Sequence, residues 1–132
     1  MSNRIATGEL DLKLMLTSLE PILDSQEYIF CVVSEVPQNI TPFATINEHE
    51  GTTLVLPRAQ ADSQGLAYDG VFSRITLSVH SSLMAVGLTA AVAKVLCEQN
   101  ISANVIAGYY HDHVLVPKLR ADDALAALNN LS

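Results

Sequence analysis

The order in which hydrophobic periodicities change along the second half of the chain is the tightest constraint on its fold. Residues 71–79, VFSRITLSV, alternate apolar and polar side chains, the period of a half-buried strand. Residues 80–100, HSSLMAVGLTAAVAKVLCEQN, shift to helical spacing, with Ser81 or Ser82 as N-cap and Asn100 as the stop. ISANVIAGYY and HVLVP then form strands on either side of a tight turn. LRADDALAALNN closes the half as an amphipathic helix whose Asp122 and Asp123 lie in the first turn, where the helix dipole favours them. This βαββα order is a ferredoxin-like unit lacking only its last strand. Such a unit leaves an unpaired sheet edge, so the strand expected over 27–33, EYIFCVV, or a neighbouring chain should fill the vacant place.

The first half is less regular. GELDLKLMLTSLEPIL has leucines at mostly helical spacing and reads as a short amphipathic helix broken near Pro21. After the 27–33 strand, EVPQNITP is a loop. FATINEHEGTTLVLP reads as a hairpin turning at Glu50-Gly51, and RAQADSQGL as a short helix closed by Gly65. No sequence repeat is obvious, but strand, loop, hairpin and helix make a reduced version of the second half. The expected organisation is therefore a degraded unit over 1–66 followed by a fuller one over 67–132. The fold class is α/β of the α+β kind, with an antiparallel sheet and helices on one face.

Composition removes several functions. The chain has 132 residues, 49% of them hydrophobic and 16% charged, which suffices for one core and favours a homo-oligomer that hides apolar surface. Residues 1–69 hold three basic and ten acidic side chains, while residues 70–132 hold four of each. The second half therefore has the surface best suited to interfaces. Neither half has a basic patch, which argues against nucleic acid and anionic membrane as partners. No apolar run approaches the ~20 residues of a membrane span. MSNRIATGELDLK lacks the apolar core of a signal peptide, and Cys31 and Cys97 sit in apolar segments as reduced, buried thiols, so a cytoplasmic location is expected.

The chemistry concentrates in HSSLMAVG and YYHDHVLVP. The start of a helix directs free N–H groups and a partial positive charge at the preceding loop, a setting that suits a carboxylate. No Glu or Gln follows Ser81 or Ser82 at capping-box spacing, which leaves those donors available. Gly87 permits close approach, and as a helix-interior glycine it costs ~1 kcal/mol against alanine. The plainer alternative is that Ser82 caps the helix and Gly87 packs on a strand. His80 could hold a ligand carboxylate, pair with Asp112, or bond only to backbone.

His111 and His113 would share a strand face as a metal-binding H-x-H pair does, with Asp112 facing away. A site needs three or four ligands, and a polar hairpin tip without metal is the preferred reading. Ser81 and Ser82 beside His80 lack a nucleophile elbow and an orienting acid, and AGYY and AVGLTA lack phosphate-loop glycine spacing. Neither an enzyme nor a bound cofactor is expected.

The stretch RITLSVHSSLMAVGLTAAVAKVLCEQNISANVIAGYYHDHVLVP, with ADDALAAL after it, resembles the C-terminal unit of ACT-domain proteins. More narrowly, residues 8–130 are similar to a family of small bacterial proteins with two ACT-like units and no assigned activity. The resemblance implies βαββαβ units that bind a small molecule, often an amino acid, beside a strand–helix loop and often across a subunit interface. It places the ligand against His80, Ser81 and Ser82, the helix start at Val86, Gly87 and Leu88, and Asn104 and Ile106 of the facing strand. In related amino-acid sensors an aspartate precedes an apolar strand ending in VP, the place of Asp112 here, while Tyr110 and His113 depart from that pattern. The resulting expectation is a regulatory amino-acid-binding protein. Ser81 and Ser82 would hold the carboxylate, Asp112 with His80 or His113 the amino end, and Val86, Leu88 and Ile106 the aliphatic part. A ligand-free interaction module, its pocket filled by Met84 and Tyr109, is the alternative, and a metal site at His111 and His113 a weaker one.

Overall fold

The computed structural model of the protein describes residues 8–131. Most of the segment in which no signal peptide is expected lies outside them. The first helix, α1 (Leu12–Thr17), is shorter than its leucine spacing suggests. Asp11 caps it, with Oδ1 accepting from the Leu14 N–H at 3.2 Å. Pro21 does not break a helix. It opens a 13-residue strand, β1 (Pro21–Val33), a position where its missing N–H costs no ladder bond.

The remaining elements follow in chain order. β2 (Ala44–Glu48) and β3 (Gly51–Pro57) form the first hairpin, and α2 (Arg58–Ser63) follows directly. β4 (Phe72–Leu77) leads into α3 (Leu88–Glu98). β5 (Asn104–Ala107) and β6 (Asp112–Pro117) form the second hairpin, and a single 3-10 turn joins it to α4 (Ala121–Asn129). All six strands make one antiparallel sheet in the order β2-β3-β1-β4-β6-β5.

β1 fills the vacant edge by serving both halves. Pro21 to Tyr28 pairs with β4 as the fourth strand of the second unit, and Tyr28 to Val33 pairs with β3 as the first strand of the first. The edge is thus covered mainly by residues preceding the 27–33 segment expected to do it. The handover occurs at a bulge between Leu23 and Glu27, where the Asp24 carboxylate accepts from the Gln26 N–H at 2.8 Å. The topology also exposes a repeat: GTTLVLPRAQADS (51–63) and HDHVLVPKLRADD (111–123) occupy equivalent strand–proline–helix places. Only the second half has a helix between its first two strands.

Alternation along the strands sorts the core. Ile75 and Leu77 of β4 and Val114 and Val116 of β6 meet Met15, Leu88, Val92, Leu96 and Leu128 of the helices. The Glu27–Ser73 register puts Ile29 and Cys31 on this same face, where Leu54, Leu56 and Ala61 of α2 complete a second cluster. All helices therefore lie on one face, as expected. Leu88, Val92 and Leu96 repeat every four residues down α3 and point inward. Cys97, one step further round, is exposed, contrary to the buried thiol expected of it.

The opposite face holds Tyr28, Val55 and Leu115. Here the Arg74 guanidinium lies over the rings of Tyr28 (4.8 Å) and Phe43 (4.5 Å) and pairs with Asp24, which also accepts from Tyr28 Oη at 2.9 Å. The sheet curls enough that Phe43, beside β2, meets the His113 ring on β6 at 4.8 Å.

Candidate functional site

The site begins where β4 ends. The chain does not enter a helix at Ser81 or Ser82. It runs as a loop to Gly87, which is the N-cap of α3 in a left-handed conformation (φ 106°). Both serine hydroxyls are engaged elsewhere. Ser82 Oγ accepts from the Met84 N–H at 3.0 Å inside the loop, and Ser81 Oγ donates to Asp112 Oδ2 at 3.2 Å. Gly87 has no side chain to cap with, and the first intrahelical bond runs from the Ala91 N–H to the Gly87 carbonyl. The first-turn N–H groups of α3 therefore keep their positive end of the helix dipole uncapped.

Asp112 reaches this place because it opens β6 opposite Leu77 and Ala107, with the parity of Val114 and Val116 that faces the helices. Ser81 is 7% exposed and Asp112 8%. Burial pushes the Asp112 carboxyl above its ordinary value, opposed by the Ser81 hydrogen bond and by His111 nearby. Between them lies a cavity of about 130 Å³ bordered by Ser81, Ser82, Gly87, Leu88, Thr89 and Asp112.

An unexpected element crosses the loop. The Glu9 N–H donates to the His80 carbonyl at 2.7 Å and the Ser82 N–H to the Glu9 carbonyl at 2.9 Å, so Glu9 forms a parallel bridge with Ser81. Gly8 lies flat on the Ser81–Ser82 peptide, where a Cβ would come within 2.3 Å of backbone. The Ser82 N–H is thus already used, and no local pattern in the sequence announces this long-range strap.

Half of the expected residues meet here: Ser81, Ser82, Gly87, Leu88 and Asp112. The others do not. His80 lies by the rings of Tyr109 and Tyr110, at 6.1 and 5.1 Å, rather than by Asp112, and its Nε2 is buried without a partner among the described residues. Val86 is 82% exposed and cannot pack a ligand's aliphatic part from within the cavity. Asn104 and Ile106 pair with Leu115 and His113 and so face the other side of the sheet, where the Asn104 amide donates to the Leu115 carbonyl at 3.3 Å. His113 is on that face too, with Nδ1 at 3.0 Å from Thr76 Oγ1. Burial, then the charges of Arg74 and His111, push it down to about 4.

Thr89, on the first turn of α3, and Ala107, opposite Asp112, border the cavity and were not anticipated. Met84 and Tyr109 do not fill it; they line a second cavity with Gly8, Ser82 and Leu83. Among the described residues no three His, Cys, Asp or Glu side chains lie close enough to hold a metal, and no helix is long and apolar enough to cross a membrane. In the first half Thr52 stands where the second has Asp112, and the segment 34–43 carries no helix.

With every helix on one face of the antiparallel sheet and a cavity at a strand–helix loop, the protein has the ferredoxin-like α+β architecture. Two ACT-domain family models match it, over residues 7–73 and 73–130, and the chain belongs to the ACT-domain family with two successive units. It is 50% identical to a Vibrio cholerae protein of unknown function, a possible transport protein. That match has a TM-score of 0.81 and covers 91% of this chain and 94% of that one. The ligand-free regulatory subunit of Thermus thermophilus aspartate kinase has a similar fold (TM-score 0.66, 9% identity, 87% of this chain and 98% of that one). So does Escherichia coli aspartokinase III in complex with aspartate and ADP (TM-score 0.60, 12% identity, 85% and 33%). No curated protein matches the chain.

Proposed function

We propose that the protein is a non-catalytic cytoplasmic regulator that binds an α-amino acid in the cavity between Ser81, Asp112 and the start of α3. The observation that carries this reading is the buried Ser81–Asp112 pair facing an uncapped helix N-terminus across a cavity of about 130 Å³. A buried carboxylate is costly, and at Asp112 burial outweighs Ser81 and His111, which its raised pKa expresses. A ligand ammonium at Asp112 relieves it, and the ligand carboxylate takes the free N–H groups of the first α3 turn. One small zwitterion satisfies both ends.

In this reading the division into halves at 1–66 and 67–132 is functional, since only the second carries Asp112 and the helix. Val86 and Tyr110, exposed in the second half, supply a surface through which a second copy or a partner senses occupancy. Binding shifts assembly by as much as the ligand's affinity differs between the two states. A thermal-shift screen against the twenty amino acids tests this. At a hundred times its Kd a ligand adds about 2.7 kcal/mol to the native state, and absence of any stabilising amino acid at millimolar concentration would sink the proposal.

A further inference from the structure

The cavity beside Asp112 is too small for a whole large amino acid. At ~30 Å³ for each water, about 130 Å³ holds roughly four waters, about the space of an amino-acid head group. A side chain reaching beyond its first carbon must leave it. Ser82 and Leu83 line this cavity and also the second, of about 290 Å³, whose remaining walls are Gly8, Met84 and Tyr109. Asp112 is the one charged side chain among the described residues lining either space. Among the described residues lining these spaces an acidic side chain would find no cation, and a basic one no carboxylate apart from the Asp112 that the ammonium occupies. Leu83 and Met84, 60% and 81% exposed, instead present apolar surface that a ligand would cover.

We propose that the ligand is an α-amino acid with a large apolar side chain, its head group between Asp112 and α3 and its side chain in the cavity formed by Leu83, Met84, Tyr109 and Gly8. This rests on the proposed function above and adds the ligand's class. It also gives the N-terminal strap a part, because Gly8 forms a wall of the side-chain cavity while its neighbour Glu9 is bonded to the loop holding the head group.

Calorimetric titration of the full chain with L-methionine, L-leucine, L-phenylalanine, L-alanine, L-aspartate and L-lysine tests it. At least one of the three large apolar amino acids should bind about tenfold or more tighter than alanine, aspartate and lysine, the scale expected for burying an apolar side chain. Met84→Ala, at an exposed position that does not threaten the fold, should weaken that amino acid about tenfold and leave alanine unchanged. Alanine, aspartate or lysine binding as tightly as the apolar set would overturn the ligand class while leaving the proposed function standing. Failure of all six to bind would overturn the ligand class, and the screen of all twenty amino acids then decides whether the proposed function stands. If Met84→Ala weakened self-association in light scattering without changing amino-acid affinity, the surface would belong to a second copy and the assignment would fall.

Discussion

Replacing Gly87 by alanine distinguishes the observed helix start from the one its sequence suggests. If α3 began at Ser81 or Ser82, Gly87 would lie inside the helix and alanine would stabilise the protein by ~1 kcal/mol. In the structure Gly87 is the N-cap with φ 106° and ψ −20°. A left-handed backbone costs an L-residue roughly 1–2 kcal/mol, and these angles lie away from the usual left-handed minimum. The new Cβ would also stand 3.0 Å from Leu12 Cδ2, the flexible end of a side chain that can shift at small cost. The total is about 2 kcal/mol of destabilisation, or about 8 °C in Tm for a chain of this size. Urea denaturation followed by far-UV circular dichroism measures it. Gly87→Asn should lose less, because asparagine tolerates left-handed angles better. A Gly87→Ala protein as stable as the parent, or more so, would refute the N-cap geometry and with it the free donors of the site.

Other residues give independent tests. Asp112 has its folded pKa raised, so the parent should lose stability as pH rises from about 4 through that raised value. Asp112→Asn should remove this loss, stay folded at neutral pH, and no longer be stabilised by amino acids in thermal-shift assays. His113 behaves oppositely: its folded value near 4 lies below the ~6.5 of an unfolded histidine. Stability should therefore fall as pH drops from about 6.5 toward 4, and His113→Phe should flatten that part of a Tm–pH profile. Arg74→Met leaves the partly buried Asp24 without its cation and should cost about 2 kcal/mol in denaturant melts, with Asp24→Asn in the same chain restoring part of the loss.

The βαββα order of the second half and the single helical face were legible because strand alternation and the leucine–valine stripe of α3 are local patterns. The joint role of β1 was not. SLEPIL reads as a helix end until Pro21 pairs opposite Leu77, more than fifty residues away. The serines resembled caps, and their hydroxyls were satisfied inside the loop and at Asp112, while the actual cap is a glycine defined only by its backbone angles. At the site, β6 parity already set His113 and Asp112 on opposite faces. That Asn104 and Ile106 join His113 depended on the β5–β6 register, which no single-strand pattern reveals. The strap at Gly8 and Glu9 depends wholly on a distant partner and left no sign in composition or spacing.

A zwitterion held between Asp112 and the first turn of α3 must perturb the backbone amides that meet it. Amide chemical-shift mapping with 15N-labelled protein, titrated with the amino acid that stabilises it most, tests this directly. Saturable shifts should concentrate at Leu88, Thr89 and Ala90, with smaller ones at Ser81 and Asp112, and should disappear in Asp112→Asn. Shifts confined to another part of the molecule, or a response undiminished in Asp112→Asn, would contradict it.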